Sequence, residues 1–341
     1  DTVVLFTHAL NTSGANVVLL RAALLYREIG YNVVLFSRDD GELRDRYLEA
    51  GMDVYIVTDL LSQSEVWKKA LSTAVLAIVN TFWFYYLLQE MDEEYKAKAV
   101  WWIHETFPYS AVNRIQFETC VRGLKTVAVV SPKVDKITRK EYGLDEMIVL
   151  PWGIPERRQS SQMIRGDKIV FSMIGSLNNE IKGQDIFLKA IQCLPETDRE
   201  KSEFWIIGAG DLGDDEAEIA DKYECIKVLG FIEQEKIPSI YARSNVIVCA
   251  SRQEALSVVV VEAFMNEKLA IVSDAAGIVD YMVPGEDGFI FPSGDHNKLA
   301  DYMHWAINHR DEASRIGRRS RRVYDKNFTL QVFKEKLERL I

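Results

Sequence analysis

Clustered metal ligands are missing from this chain. Of its 341 residues five are His and four are Cys, and Cys120, Cys193, Cys225 and Cys249 form no CxxC pair. That excludes a zinc ribbon and a disulfide framework, and the four read as small buried hydrophobes in a reducing compartment. No DxD element is present, so no side-chain pair is set up to hold a divalent ion. An excess of cations is also missing: 41 Lys and Arg stand against 51 Asp and Glu, a formal charge of −10. Nucleic acid is therefore disfavoured as a general partner, and an anionic substrate needs a local basic site. The most apolar run, Thr73 to Leu88, is broken by Asn80 and Thr81 and should not span a bilayer. No signal peptide is visible, and the start at Asp1, directly before a strand, suggests a piece cut from a longer protein. No G-x-G-x-x-G follows the first strand, which argues against a nicotinamide oxidoreductase.

What the chain has is alternation. At 341 residues and 48% hydrophobic content it has material for about two domains. Residues 2–6, 32–36, 53–57, 75–79, 99–103 and 125–129 read as buried strands with helices between them. The first helix runs from about Ala15 to Ile29 and stops at Gly30. After Pro151–Pro155 the segment Glu156–Gly166 is polar and aperiodic and reads as a linker. A second series follows at 169–174, 204–207, 226–228, 246–249 and 270–272, with a helix from about Gly183 and another near Glu233. The fold class is α/β, two Rossmann-like doubly wound parallel-sheet domains facing across a cleft. Their expected bounds are 1–155 and 156–325, with a C-terminal helix over 326–341 expected to return to the first domain.

The stretch Ser251–Met265 organises the functional reading. It follows the apolar strand Val246–Cys249 and leads into a helix for which Ser257 is the candidate N-cap. Amides at a helix N-terminus, here those of Leu256, Ser257 and Val258, attract phosphate. Glu262 lies five residues past the cap, roughly 7.5 Å along the axis. That is about the offset between a diphosphate and the ribose of its own nucleotide. Glu254 sits on the loop before the cap, where a sugar beyond the diphosphate would lie. Lys182 ends another strand-end loop beside a helix start and suits a diphosphate, the alternative being a solvated surface lysine. Gly208 and Gly210 allow close backbone approach to a ligand.

The Glu254–Glu262 spacing, with seven residues between, resembles the EX7E element of glycosyltransferase family 4, retaining enzymes of the GT-B fold. The resemblance covers nearly the whole chain and is clearest from Phe171 to Leu299. It implies that Glu254, Lys182 and His104 are catalytic, with His104 touching the transferred sugar. It implies donor contacts at Gly14, Ser176, Lys182, Gly208, Glu254, Leu256, Ser257, Val258 and Glu262, and a nucleobase near Phe231 and Ile232. A packing turn is the alternative at Phe231. The segment Gly285–Asp295 looks hairpin-like and structural. His8 ends a strand without a matching role.

The expected reaction moves a hexose from a nucleotide-diphosphate sugar to a hydroxyl of a glycan, lipid-linked or protein acceptor. Configuration is retained, and the leaving phosphate takes the acceptor proton, as is argued for the family. Bacterial surface-polysaccharide synthesis is the implied pathway. No cofactor and no metal are expected. The location is read as cytoplasmic, with the inner membrane face as a variant of that reading. Peripheral membrane contact is carried by two features, the cluster Arg315, Arg318, Arg319, Arg321 and Arg322 and the run Phe82–Tyr86. A solvated helix face and a buried helix start are the competing readings of these two. The chain departs from the family pattern at Ser176, where arginine is usual, and at Ala255–Ser257, often glycine-rich. Glu267 and Leu269 also replace a common glycine and proline. These departures motivate the alternative, a non-catalytic GT-B subunit binding a glycan or a partner transferase.

Overall fold

The structure, a computed structural model, describes residues 1–106, 112–144, 146–157 and 167–341. The chain divides into two compact units, Asp1–Gly153 with Leu330–Ile341, and Ile154–Thr329.

The first unit is built on strands β1 (Thr2–Thr7), β2 (Asn32–Ser37), β3 (Asp53–Ile56), β4 (Ala74–Asn80), β5 (Ala99–Ile103), β6 (Thr126–Val129) and β7 (Ile148–Val149). They form one sheet in the order β3-β2-β1-β4-β5-β6-β7, and every pairing is parallel. Val3–Phe6 and Leu76–Val79 are wholly buried, as continuous apolar strands covered on both faces must be. The helix Gly14–Ile29 follows β1 and ends at Gly30, whose left-handed φ of 109° lets its N–H return to the carbonyls of Tyr26 and Arg27. The terminal helix Leu330–Glu338 belongs to this unit: Tyr26 Oη donates to the Leu337 carbonyl at 3.2 Å.

The second unit repeats the plan with β8 (Ile169–Ile174), β9 (Ser202–Ile207), β10 (Ile226–Gly230), β11 (Val246–Cys249), β12 (Leu269–Ser273) and β13 (Phe289–Phe291). The order is β10-β9-β8-β11-β12-β13, again all parallel. Phe171, Phe204, Ile271 and Val248 from the sheet pack with Phe187, Leu299 and Met303 from its helices. Strand order reverses between β8 and β11, which opens a crevice beyond their C-terminal ends.

Several local expectations are corrected. The segment 285–295 is no hairpin: β13 runs parallel to β12, and Val283 N–H donating to Asp287 Oδ2 at 2.9 Å closes only a local turn before it. The helix expected near Glu233 is Ile237–Arg243; Glu233–Lys236 forms a turn first, and Pro238 sits in the helix's first turn. All four cysteines are free thiols, but only Cys120 and Cys249 are buried, while Cys193 is exposed. Most of the expected linker, residues 158–166, lies outside the described residues.

Candidate active site

The crevice of the second unit is lined by three strand-end loops that lie against one another. Gly175 N–H donates to the Ile207 carbonyl at 2.9 Å, Leu177 N–H to Ala209 at 2.8 Å, and Gly208 N–H to Gly230 at 2.9 Å. A Cβ on Gly208 would stand 1.7 Å from the Gly175 carbonyl oxygen, so only glycine permits this approach. Beyond β8 a short helical turn, Asn179–Lys182, is capped by the Asn178 side chain, which accepts from Ile181 N–H at 3.2 Å. Gly183 follows with φ +76°, and a Cβ there would lie 2.3 Å from the Ala250 carbonyl oxygen. The turn is thereby pressed against the end of β11.

That approach brings Lys182 and Glu254 together. Lys182 Nζ donates to Glu254 Oε2 at 2.5 Å, with side chains 28% and 21% exposed. Burial opposes the ammonium, but the charge of Glu254 and the hydrogen bond to it prevail, and the Lys182 pKa is raised. The backbone of Glu254 is fixed as well, its carbonyl accepting from Gly277 N–H at 2.9 Å. A second tie joins the two loops. Arg252 makes a bidentate pair with Asp185, Nη1 to Oδ1 and Nη2 to Oδ2 both at 2.8 Å, and Arg252 N–H donates to the Ile181 carbonyl at 2.8 Å. Ser176 contributes its carbonyl, which accepts from Gln184 Nε2 at 2.8 Å.

Ser257 occupies the N-cap position of the helix Val258–Met265, but its side chain does not cap. Its backbone is at φ 96°, ψ 98°, and its hydroxyl lies 3.7 Å from Cys249 Sγ. The unusual φ turns the side chain away from the first-turn amides. Those of Val258, Val259 and Val260 precede the first intrahelical bond, from Val261 N–H to the Ser257 carbonyl. Leu256 is buried, so its side chain is not available to a ligand. Glu262 is not brought to Lys182 and Glu254. It lines a separate cavity of about 20 Å³ with Gln234, Ile237 and Tyr241. The Tyr241 hydroxyl donates to the Val259 carbonyl at 3.1 Å; burial, then the charge of Glu262, raises its pKa. Phe231 is 72% exposed, whereas Ile232 packs against Trp205, Ile207 and Ile240.

In the first unit, Gly14 opens the helix Gly14–Ile29, and the space a Cβ would enter there is open. His104 follows β5 with its ring against Trp102, centroids 4.6 Å apart. Its Nε2 is buried without a partner among the described residues, and burial pushes its pKa down to about 3, so the imidazole is neutral at physiological pH. His8 Nδ1 is buried without a described partner too.

Sequence reasoning missed Arg252 and Asp185, whose signal was an acid just after Lys182-Gly183 and a cation two residues before Glu254. It missed Tyr241, which gave no local signal. It also missed Glu105, a carboxylate two residues beyond an apolar strand. Glu105 accepts N–H bonds from Phe82 at 3.1 Å and His104 at 2.9 Å, yet burial raises its pKa to about 7. Among the described residues no group of three His, Cys, Asp or Glu could hold a metal ion, and no helix is long and apolar enough to cross a membrane.

Comparison with known proteins places these features in context. The family model "Glycosyl transferases group 1" matches residues 155–323, and "Glycosyl-transferase family 4" matches residues 1–134. Spore coat protein SA of Bacillus subtilis is 26% identical over 265 residues, 69% of this chain and 69% of that protein. The capsular polysaccharide biosynthesis glycosyltransferase CapM of Staphylococcus aureus is 32% identical over 100 residues, 29% of this chain and 26% of that protein. The crystal structure of Anabaena HepE in complex with UDP shares the fold at a TM-score of 0.81 and 17% identity, covering 99% of each chain. HepE in complex with UDP-glucose aligns at a TM-score of 0.76.

Proposed function

The chain belongs to glycosyltransferase family 4, and we propose that it moves a hexose, with retention, from a nucleotide-diphosphate sugar to a hydroxyl acceptor. The observation that carries this reading is the Lys182–Glu254 pair, 2.5 Å apart, held at the strand-order reversal of the second unit. A diphosphate needs a cation and free amides. Lys182 and the first turn of Val258–Met265 offer both, with a carboxylate for sugar hydroxyls beside them.

In the proposed reaction the anomeric carbon–oxygen bond breaks with its electron pair passing to the leaving phosphate. The transition state is oxocarbenium-like. Lys182 and the helix amides stabilise the charge that develops on the diphosphate. The acceptor oxygen bonds to the same face, and its proton passes to a phosphate oxygen. Lys182 takes the electrostatic role a divalent ion plays elsewhere, so turnover proceeds without metal. Glu262, beside Gln234 and Tyr241, is assigned to the ribose, Phe231 and Ile232 to the base, His104 to the transferred sugar and Gly14 to the donor.

The acceptor class is a glycan, lipid-linked or protein hydroxyl in surface-polysaccharide synthesis, with the enzyme in the cytoplasm or at the inner membrane face. The likeness to CapM supports the pathway, and the UDP-glucose complex of HepE makes UDP-glucose the first donor to try.

The test separates the two glutamates. Glu262→Ala should weaken binding of the free nucleoside diphosphate as well as the donor, read by calorimetry. Glu254→Ala should cut turnover and spare the free nucleotide. Equal losses for both ligands in both variants would sink the assignment. Absence of both transfer and donor hydrolysis in the wild-type chain, across UDP-, GDP-, ADP- and TDP-sugars, would favour the non-catalytic subunit.

A further inference from the structure

At the opposite end of the second sheet lies a cavity of about 570 Å³ that the donor reading leaves unused. Its floor is the N-terminal end of three adjacent strands: Lys168 precedes β8, Asn245 precedes β11 and Lys268 precedes β12. Its wall is one face of the helix Arg310–Asn327, presenting Arg310, Asp311, Arg315 and Arg318. β8 is six residues long, so this cavity is about 20 Å from the strand ends that carry the crevice. A chain of net charge −10 thus gathers five cations here against two acids, Glu267 and Asp311.

How those cations are held matters more than their number. Arg310 donates to two backbone carbonyls, Asp167 at 2.9 Å and Lys201 at 3.2 Å. Arg318 donates to the Ser314 hydroxyl at 2.7 Å. Neither contact cancels charge. Arg315 does pair with a carboxylate, Glu312, at 2.8 Å, but that pair is exposed and screened. Lys268 is 7% exposed and its ammonium reaches the Ala242 carbonyl at 3.5 Å beneath the cavity floor. A neighbouring cavity of about 550 Å³ shares Arg315 and Arg318 and adds Arg319. A fixed positive field over a pocket of small-ligand size selects a compact polyanion.

We propose that this cavity binds a phosphate-bearing ligand at a second site, separate from the donor crevice. The shared chemistry is a phosphate ester group, supplied by a soluble phosphorylated compound or by an anionic lipid headgroup.

The probe is inorganic pyrophosphate, titrated calorimetrically into the full chain at low salt. The wild type should show two classes of site. Lys182→Ala should lose the crevice class and keep the other. Lys168→Gln with Arg318→Gln should weaken that other class at least about tenfold, and Lys168→Arg with Arg318→Lys should keep it. Both positions are exposed, so an unchanged melting temperature is expected to accompany the loss. Flotation with phosphatidylglycerol vesicles but not phosphatidylcholine vesicles, lost in the Gln variant, would assign the lipid source; pyrophosphate binding without flotation would assign the soluble one. No pyrophosphate bound by Lys182→Ala, or unchanged binding by the Gln variant, overturns the proposal.

Discussion

Lys182→Ala is the perturbation that bears hardest on the proposed donor site. The ammonium is held 2.5 Å from Glu254 and is charged throughout the physiological range, because the carboxylate outweighs the burial that opposes it. Removing one preorganised donor to developing charge costs about 10²–10³ in rate, or roughly 2.7–4 kcal/mol of barrier. Ser176 offers no second cation on the loop, and Arg252 is committed to Asp185, so the loss should reach the upper end of that range. A second effect is structural. Glu254 is only 21% exposed on its side chain, and losing its partner should lower stability by about 1–2 kcal/mol, between the values for exposed and buried pairs. Turnover with the best donor, set beside a denaturant melt, separates the two effects. Lys182→Arg should restore the melt and only part of the rate, since a planar fork replaces a point charge. Ser176→Arg in the alanine background should recover some rate. Near-wild-type turnover of Lys182→Ala would mean that the diphosphate lies elsewhere.

Three other outcomes are expected. Turnover should survive EDTA, and a complete loss restored by manganese or magnesium would refute the assignment of the ion's role to Lys182. Gly208→Ala should cost about 2–6 kcal/mol and abolish donor binding, because a Cβ would stand 1.7 Å from the Gly175 oxygen and φ is 159°; Gly230→Ala, with open space around it, should cost only about 1–2 kcal/mol, and similar melts for the two would contradict the packing of the loops. Glu105, whose pKa is raised from 4.5 to about 7, keeps in the folded chain a proton that the unfolded chain loses, so its contribution is complete below about 4.5 and disappears as pH rises through about 7. That corresponds to at most roughly 3 kcal/mol, and melts between about pH 5 and pH 8 should show a steeper loss for wild type than for Glu105→Gln, parallel slopes counting against it.

The alternation of apolar runs and helices made both sheets legible, since buried parallel strands such as Val3–Phe6 and Val246–Val248 are continuous hydrophobic segments. Two of the four edge strands were not legible: Ile148–Val149 is two residues long, and Phe289–Phe291 sits among turn residues that read as a hairpin. At the site, the spacing marked Glu254, Glu262 and Lys182, but it could not show that Lys182 meets Glu254, 72 residues away, while Glu262 lies beside Tyr241. Such a contact depends on how closely two loops approach. Here Gly183, with Ala250 against it, sets the distance, and the Arg252–Asp185 pair fixes it. No periodicity records that.

Loop packing also bears on the departure at Ala255–Ser257. A glycine-rich segment gives its backbone freedom to take a positive φ and leaves the helix amides uncovered. Ser257 takes φ 96° without being glycine, at a cost of order 1–3 kcal/mol that the surroundings must offset. Those surroundings are visible: Leu256 is buried, Glu254 is tied to Gly277, and Lys182 holds Glu254. The Ser257 hydroxyl lies 3.7 Å from Cys249 Sγ and makes no cap bond to the first-turn amides. Strain of this kind persists where neighbouring contacts over-determine the conformation. At this loop those contacts are the same ones that position the proposed catalytic pair.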